Sequence, residues 1–222
     1  MTPPLHAFVF LSFLLWQPPS ADQIMARVEQ AGESRRQAAA PYSSVRDYTV
    51  ENSRFHVRAT MQVEVSVEAS GRKSFRILTT SGSSTVRRLV FQRMLDTETR
   101  ASAPETQAAT RISRANYSFH FTGTAGLGGR THYTLEAAPK AKNPLLFRGR
   151  VWIDAEHFAV ARIEGEPAQR PSFWVKRTRF VHDYVEAGGQ WLPRQNRSES
   201  DIRLFGRSTT TILYGSYQSR TD

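Results

Sequence analysis

The stretch RGRVWIDAEHFAVARIEGEP (148–167) gathers Trp152, Asp154, Glu156 and His157. Two carboxylates this close could serve as general acid and general base, provided a pocket shields them and separates their pKa values. The local pattern points elsewhere. Leu145, Phe147, Val151 and Ile153 fall on one face of an alternating segment, and Leu146, Arg148, Arg150, Trp152 and Asp154 on the other. Ala155, Glu156 and His157 then fall at a turn. An Asp there starts the turn by accepting from its own downstream backbone, and a hairpin tip is usually exposed. The expected role is structural.

The histidines offer a metal pair only on one condition. If a hairpin closes over 122–130, His120 faces His132 across its two strands. A good site needs a third ligand and supporting contacts, and none is near in sequence. Two polar residues on a solvent face are expected, with no metal. The chain has no cysteine, which removes disulfides, thiolate zinc sites, cysteine nucleophiles and a lipid-attachment cysteine. No GxSxG elbow is present, and HDY (182–184) sits inside a strand pattern. The glycines of GTAGLGG (123–129) precede a strand rather than a helix, so they read as a hairpin connection, not a phosphate loop. No enzyme activity and no cofactor are expected.

Aromatic residues are more informative. Trp152, Phe173, Trp174, Phe180, Tyr184 and Trp191 occupy consecutive strands of the C-terminal half. Trp174, Phe180 and Tyr184 share one strand face by parity. Such residues either fill a core or line a cavity for an acyl chain. Trp152, Trp174, Phe180, Tyr184 and Trp191 are therefore the candidate ligand-binding residues.

The elements that position them follow from periodicity. Ile24, Met25, Val28 and Ala31 form a helical stripe over 22–40, ended by Pro41, and Ser20 with Gln23 could form its capping box. Val57 to Val67 alternates apolar and polar residues, turns at ASGR (69–72), and continues through Phe75, Ile77 and Thr79. Val86, Leu89, Val90 and Met94 return to helical spacing, and 97–110 reads as loop or irregular helix. Strand patterns then run to the end, giving about nine strands in all, mostly linked by hairpins. The fold class is α+β, mainly β. A curved antiparallel sheet forms an incomplete, half-open barrel, with helices covering its concave side.

The N-terminus carries an apolar run, Ala7–Trp16, that is shorter than the ~20 residues of a membrane span. It matches a signal-peptide core, so 1–21 is expected to be removed on export and 22–222 to form one domain in the periplasm. The formal charge is +10, carried mostly by scattered arginines without a dense basic run. A solvated surface is expected and nucleic acid is not a partner.

The order of elements, with NYSFHFTG (116–123), RGRVWIDAEHFAVARIEGEP (148–167), PSFWVKRTRFVHDY (171–184), WLPRQNRSES (191–200) and LFGRSTTTILYGSYQ (204–218), resembles the LolA/LolB-like superfamily of bacterial lipoprotein-sorting proteins. That resemblance implies a soluble periplasmic carrier. It would shield lipid or the acyl chains of lipoproteins in a hydrophobic half-barrel, assist transport to the outer membrane, touch membranes transiently and catalyse nothing. It also implies an arginine that latches the lid, which these motifs do not place; Arg54 and Arg58 are guesses. The alternative is a periplasmic sensor or regulatory module of the same fold, acting through an envelope protein partner.

Overall fold

Alternation of apolar and polar residues builds the sheet. In β2 (Val57–Val67), Ala59, Met61, Val63, Val65 and Val67 are buried while the residues between them reach solvent. The computed structural model describes residues 18–170 and 172–219, so the apolar run of the expected leader lies outside the described residues. The strands are β1 (Tyr42–Asn52), β2, β3 (Lys73–Gly82), β4 (Tyr117–Leu127), β5 (Arg130–Pro139), β6 (Phe147–Asp154), β7 (Val160–Pro167), β8 (Val175–Ala187), β9 (Gln190–Ile202) and β10 (Gly206–Ser219). They form one ten-stranded sheet in the order β3-β2-β1-β10-β9-β8-β7-β6-β5-β4. Neighbouring strands run antiparallel. No ladder joins β3 to β4, so the curved sheet stays open, as an incomplete barrel should.

Two helical segments cover the concave side. Helix α1 (Ala21–Gln37) starts in a capping box formed by Ser20 and Gln23, and it buries Ile24, Met25 and Val28. These three pack with Tyr117, Leu135, Val151, Ile153 and Ile163 into a core over β4–β7. The second segment runs through α2 (Ser84–Val86), a π turn (Arg87–Phe91) and α3 (Gln92–Ala101), followed by α4 (Pro104–Thr110). Phe91 and Leu95 anchor it in a separate core with Tyr48, Val50, Met61, Val63, Val65 and Ile212. The half-barrel therefore has two cores, with the central strands between them.

The structure corrects two expectations and, over 97–110, selects the irregular helix over the loop. β1 is a strand that the pattern does not announce. Residues 97–101 complete α3, and α4 opens on a proline at its first turn, where the missing N–H is harmless. The β4–β5 hairpin closes on Gly128 and Gly129 alone, both at positive φ (59° and 79°), as a two-residue turn requires. With a bulge at Phe121/Gly123, His120 faces Glu136 and His132 faces Ala125, so the two histidines are not paired.

Candidate functional site

Between the two cores, the inner faces of β8, β9 and β10 carry short polar residues where a core would need large apolar ones. Thr178 pairs with Ser200, and His182 with Asn196. Ser198 lies opposite Thr210, and Asn196 opposite Ile212. These residues floor a cavity of about 720 Å³ whose roof is Leu89, Val90 and Met94 of the covering helix. The lining is thus divided into an apolar roof and a hydrogen-bonding floor. Thr178 and Ser200 satisfy each other at 2.9 Å, whereas Asn196 Oδ1 is buried with no hydrogen-bond partner among the described residues. Burial pushes His182 down to about 4, against a smaller opposing pull from the adjacent Asn196 amide, so the imidazole is neutral near pH 7. Burial likewise pushes Tyr184 up to about 12.

The roof is fastened to the sheet by charge. Arg46, on β1, is fully buried at 1% exposure. Its Nη1 meets Glu98 Oε1 on α3 at 2.5 Å, and Lys73 Nζ of β3 reaches the same oxygen at 2.8 Å. Tyr48 donates its hydroxyl to Glu98 Oε2 at 3.3 Å. The Arg46 guanidinium also stacks 4.7 Å from the Tyr214 ring centroid. Burial would raise the Glu98 carboxyl, but Lys73 and Arg46 outweigh it and hold it below the usual carboxylate range. A buried arginine is tolerable only with such a partner, so Glu98 fixes where the roof can rest. Arg46 thus makes the ionic contact between sheet and covering helix, while Arg54 and Arg58 stand exposed near the β1–β2 turn.

The Asp154 region is a different structure. Asp154 accepts from the backbone N–H of Glu156 (3.1 Å) and of His157 (2.7 Å), which is the turn-starting role expected of it. Contrary to the expected exposed tip, it is buried, and it takes Arg130 in two contacts of 2.7 and 3.2 Å. Burial alone would raise its pKa, but the His157 N–H and Arg130 bring it below the ordinary Asp value. Glu156 is exposed and offers it no acid–base partner. His132 is buried too, not on a solvent face; its Nδ1 donates to the Arg130 carbonyl at 3.0 Å. Arg35 of α1 donates to the carbonyl oxygens of His157 and Phe158, tying the helix to this turn. Among the described residues no group of three potential ligands could hold a metal ion.

The candidate aromatic residues separate. Tyr184 lines the cavity. Phe180 packs edge-on against Phe147 at 5.9 Å and borders a separate groove with Arg179 and Glu166. Trp152 lies on the opposite sheet face from Val151 and Ile153, between Arg150 and Arg162. Trp174 is exposed beside Phe173. Trp191 sits against Arg130, 5.7 Å from its guanidinium. The cavity's polar floor, Arg46 and Glu98 are the residues that aromatic counting misses. The run of short polar residues at alternate positions of β8–β10 is the signal that could have found the floor.

Comparison with solved structures finds similar chains. A LolA superfamily protein from Nitrosomonas europaea is 13% identical with a TM-score of 0.46, covering 92% of this chain and 96% of that one. A DUF1329 family protein from Desulfovibrio piger is also 13% identical with a TM-score of 0.46, covering 90% and 94% respectively. Pseudomonas aeruginosa MucB, solved as a MucA/MucB complex, is 10% identical with a TM-score of 0.28, covering 90% and 99%. No protein-family model matches the chain, and no curated protein does.

Proposed function

We propose that the protein is a lipid carrier that holds an acyl chain in the cavity between its covering helix and β8–β10. The observation that carries this reading is the divided lining of a space of about 720 Å³, within the roughly 300–1,000 Å³ usual for ligand sites. An acyl chain packs under Leu89, Val90 and Met94. The ester, amide or hydroxyl groups next to it reach Asn196, Ser198 and Thr210. Tyr184 contacts the ligand, and Phe180 supports it from the neighbouring core. In this reading residues 1–21 are the export signal, 22–222 are one LolA-like domain, and the protein works in the periplasm on lipid or lipoprotein acyl chains. The role requires burial, not covalent chemistry, and each Å² of chain covered contributes roughly 25 cal/mol.

The test is native mass spectrometry with solvent extraction of the protein purified from its envelope fraction. A stoichiometric lipid or acylated peptide is expected. Protein that is empty, and that takes up neither phospholipid nor acylated peptide on incubation, would refute the carrier reading.

A second reading is a sensor or regulatory module that works through a protein partner. The β3 edge favours it: most of this strand is exposed, Ile77 and Leu78 included, and its outer backbone groups are open to strand addition. One stable protein partner with no bound lipid would select this reading.

A further inference from the structure

One end of the sheet gathers apolar side chains that the fold does not bury. Phe173 and Leu204 are each 72% exposed, Phe55 and Trp174 52%, and Phe205 51%. They come from three segments: the β1–β2 turn, the β9–β10 turn and the residues ahead of β8. Hydrogen bonds to backbone carbonyls join these segments into one rim. Asn52 Nδ2 donates to the Phe205 carbonyl at 2.8 Å, Ser53 N to that of Arg207 at 3.1 Å, and Arg203 N to that of Trp174 at 2.8 Å. The aromatic rings pair at 5.9 Å (Phe55–Phe205) and 5.8 Å (Phe173–Trp174).

Folding does not account for Leu204. It sits at the tip of the β9–β10 turn with φ of 67°, a conformation that favours glycine or asparagine. A leucine there strains the backbone and leaves its side chain in water. Neither cost returns anything to the folded chain alone. Strain kept at an exposed apolar tip is a mark of use.

Cations surround the rim. Arg203 stacks over Phe173 at 4.5 Å, and Arg54 packs beside Gly206. Lys176 and Arg207 share a shallow depression with Ser53. Arg207 is paired with Asp201 and Arg58 with Glu51. Among the described residues, Arg54, Lys176 and Arg203 have no carboxylate within 4.0 Å. Aromatic rings settle at the headgroup level of a bilayer, and basic side chains beside them are drawn to anionic lipid. The rim also adjoins the cavity, since Val175, next to Trp174, lines it.

We propose that this rim docks the protein on anionic phospholipid bilayers, with Phe55, Phe173, Trp174, Leu204 and Phe205 inserted among the headgroups and Arg54, Lys176 and Arg203 against the phosphates. The surface is distinct from the cavity, so docking does not depend on cavity filling.

The experiment is co-sedimentation of the full chain with vesicles of phosphatidylglycerol and phosphatidylcholine mixed, and with phosphatidylcholine alone. Nitroxide-labelled lipid, placed at headgroup depth, adds a quenching readout. Binding is expected to be at least about tenfold stronger on the anionic vesicles and to weaken in high salt. The share of tryptophan quenching lost in Trp174→Phe places that side chain in the interface. Leu204→Asn separates docking from stability, because asparagine suits the turn: its urea midpoint should hold or rise while vesicle affinity falls. Phe173→Ser with Phe205→Ser should lower affinity by about tenfold or more. Equal binding to both vesicle types, or quenching untouched by Trp174→Phe, or variants that bind like the parent, would overturn the proposal.

Discussion

His182 is the residue whose placement has the clearest measurable consequence. It sits on the cavity floor opposite Asn196, and burial pushes it down from 6.5 to about 4. Between those values the unfolded chain binds a proton that the folded chain refuses. Stability therefore falls as pH drops through this window and levels off below it. The whole window is worth roughly 3 kcal/mol at most. Glu98, the cavity carboxylate whose charge acts on His182, has a depressed pKa, so its contribution is present above 4.5 and fades only below that. Urea unfolding at pH 7.5, 6 and 5 should show a stability loss in the parent that shrinks in His182→Gln. Equal slopes in the two proteins would mean that the imidazole is already solvated. Residues of this kind are hard to see in advance. His182 and Asn196 lie in ordinary strand patterns, and only the register brings their side chains to one unfilled space.

At the scale of elements, the close approach of β6 and β7 depends on two facing glycines. Gly149 of β6 pairs with Gly165 of β7. A Cβ on Gly149 would stand 2.0 Å from the Glu164 carbonyl oxygen and 2.6 Å from Gly165 Cα. Backbone cannot yield there without separating the strands. Gly149→Ala is expected to cost more than about 3 kcal/mol or to prevent folding. Gly126→Ala, in β4, meets nothing within 4 Å and should stay within about 1 kcal/mol of the parent. Thermal melts of the two variants check the contrast. The elements themselves were largely legible, because strict alternation in β2 and the apolar stripe of α1 survive as burial. β1 was not, for a physical reason. Its inward positions are Ser44, Arg46, Tyr48 and Val50, and a buried arginine breaks the apolar alternation that announces a strand. That arginine becomes intelligible only with Glu98, 52 residues further on. The aromatic residues misled in the opposite sense: Trp174 shares strand parity with Tyr184 yet stands exposed ahead of β8, and Trp152 falls on the sheet face away from Val151 and Ile153, where Arg150 and Arg162 stack on it.

The whole molecule is two cores sharing one sheet, and the space between them closes only as firmly as the covering helix is held. Phe91 and Leu95 hold one side of that helix by burial, and Glu98 holds it by charge to Arg46 and Lys73. The two attachments differ in kind. Apolar contacts can slide and re-form, whereas among the described residues Arg46 has no carboxylate other than Glu98 to pair with, and keeps the Tyr214 ring beside it if Glu98 leaves. On the proposed carrier reading, exchange of a lipid requires the roof to lift, so the ionic contact should set part of the barrier. Glu98→Gln keeps the shape and removes the charge, leaving Arg46 buried and uncompensated at a cost of about 3–5 kcal/mol. Its urea midpoint should drop, and a fluorescent fatty acid should leave the loaded protein faster in stopped-flow exchange. Adding Arg46→Met should restore much of the stability, since no buried charge is then left unpaired. It should not restore slow exchange, because the specific roof-to-sheet contact is still missing. Stability and exchange would then part company, which a purely structural ion pair cannot produce. Parallel recovery of both in the double variant would show that Arg46 and Glu98 serve the fold alone.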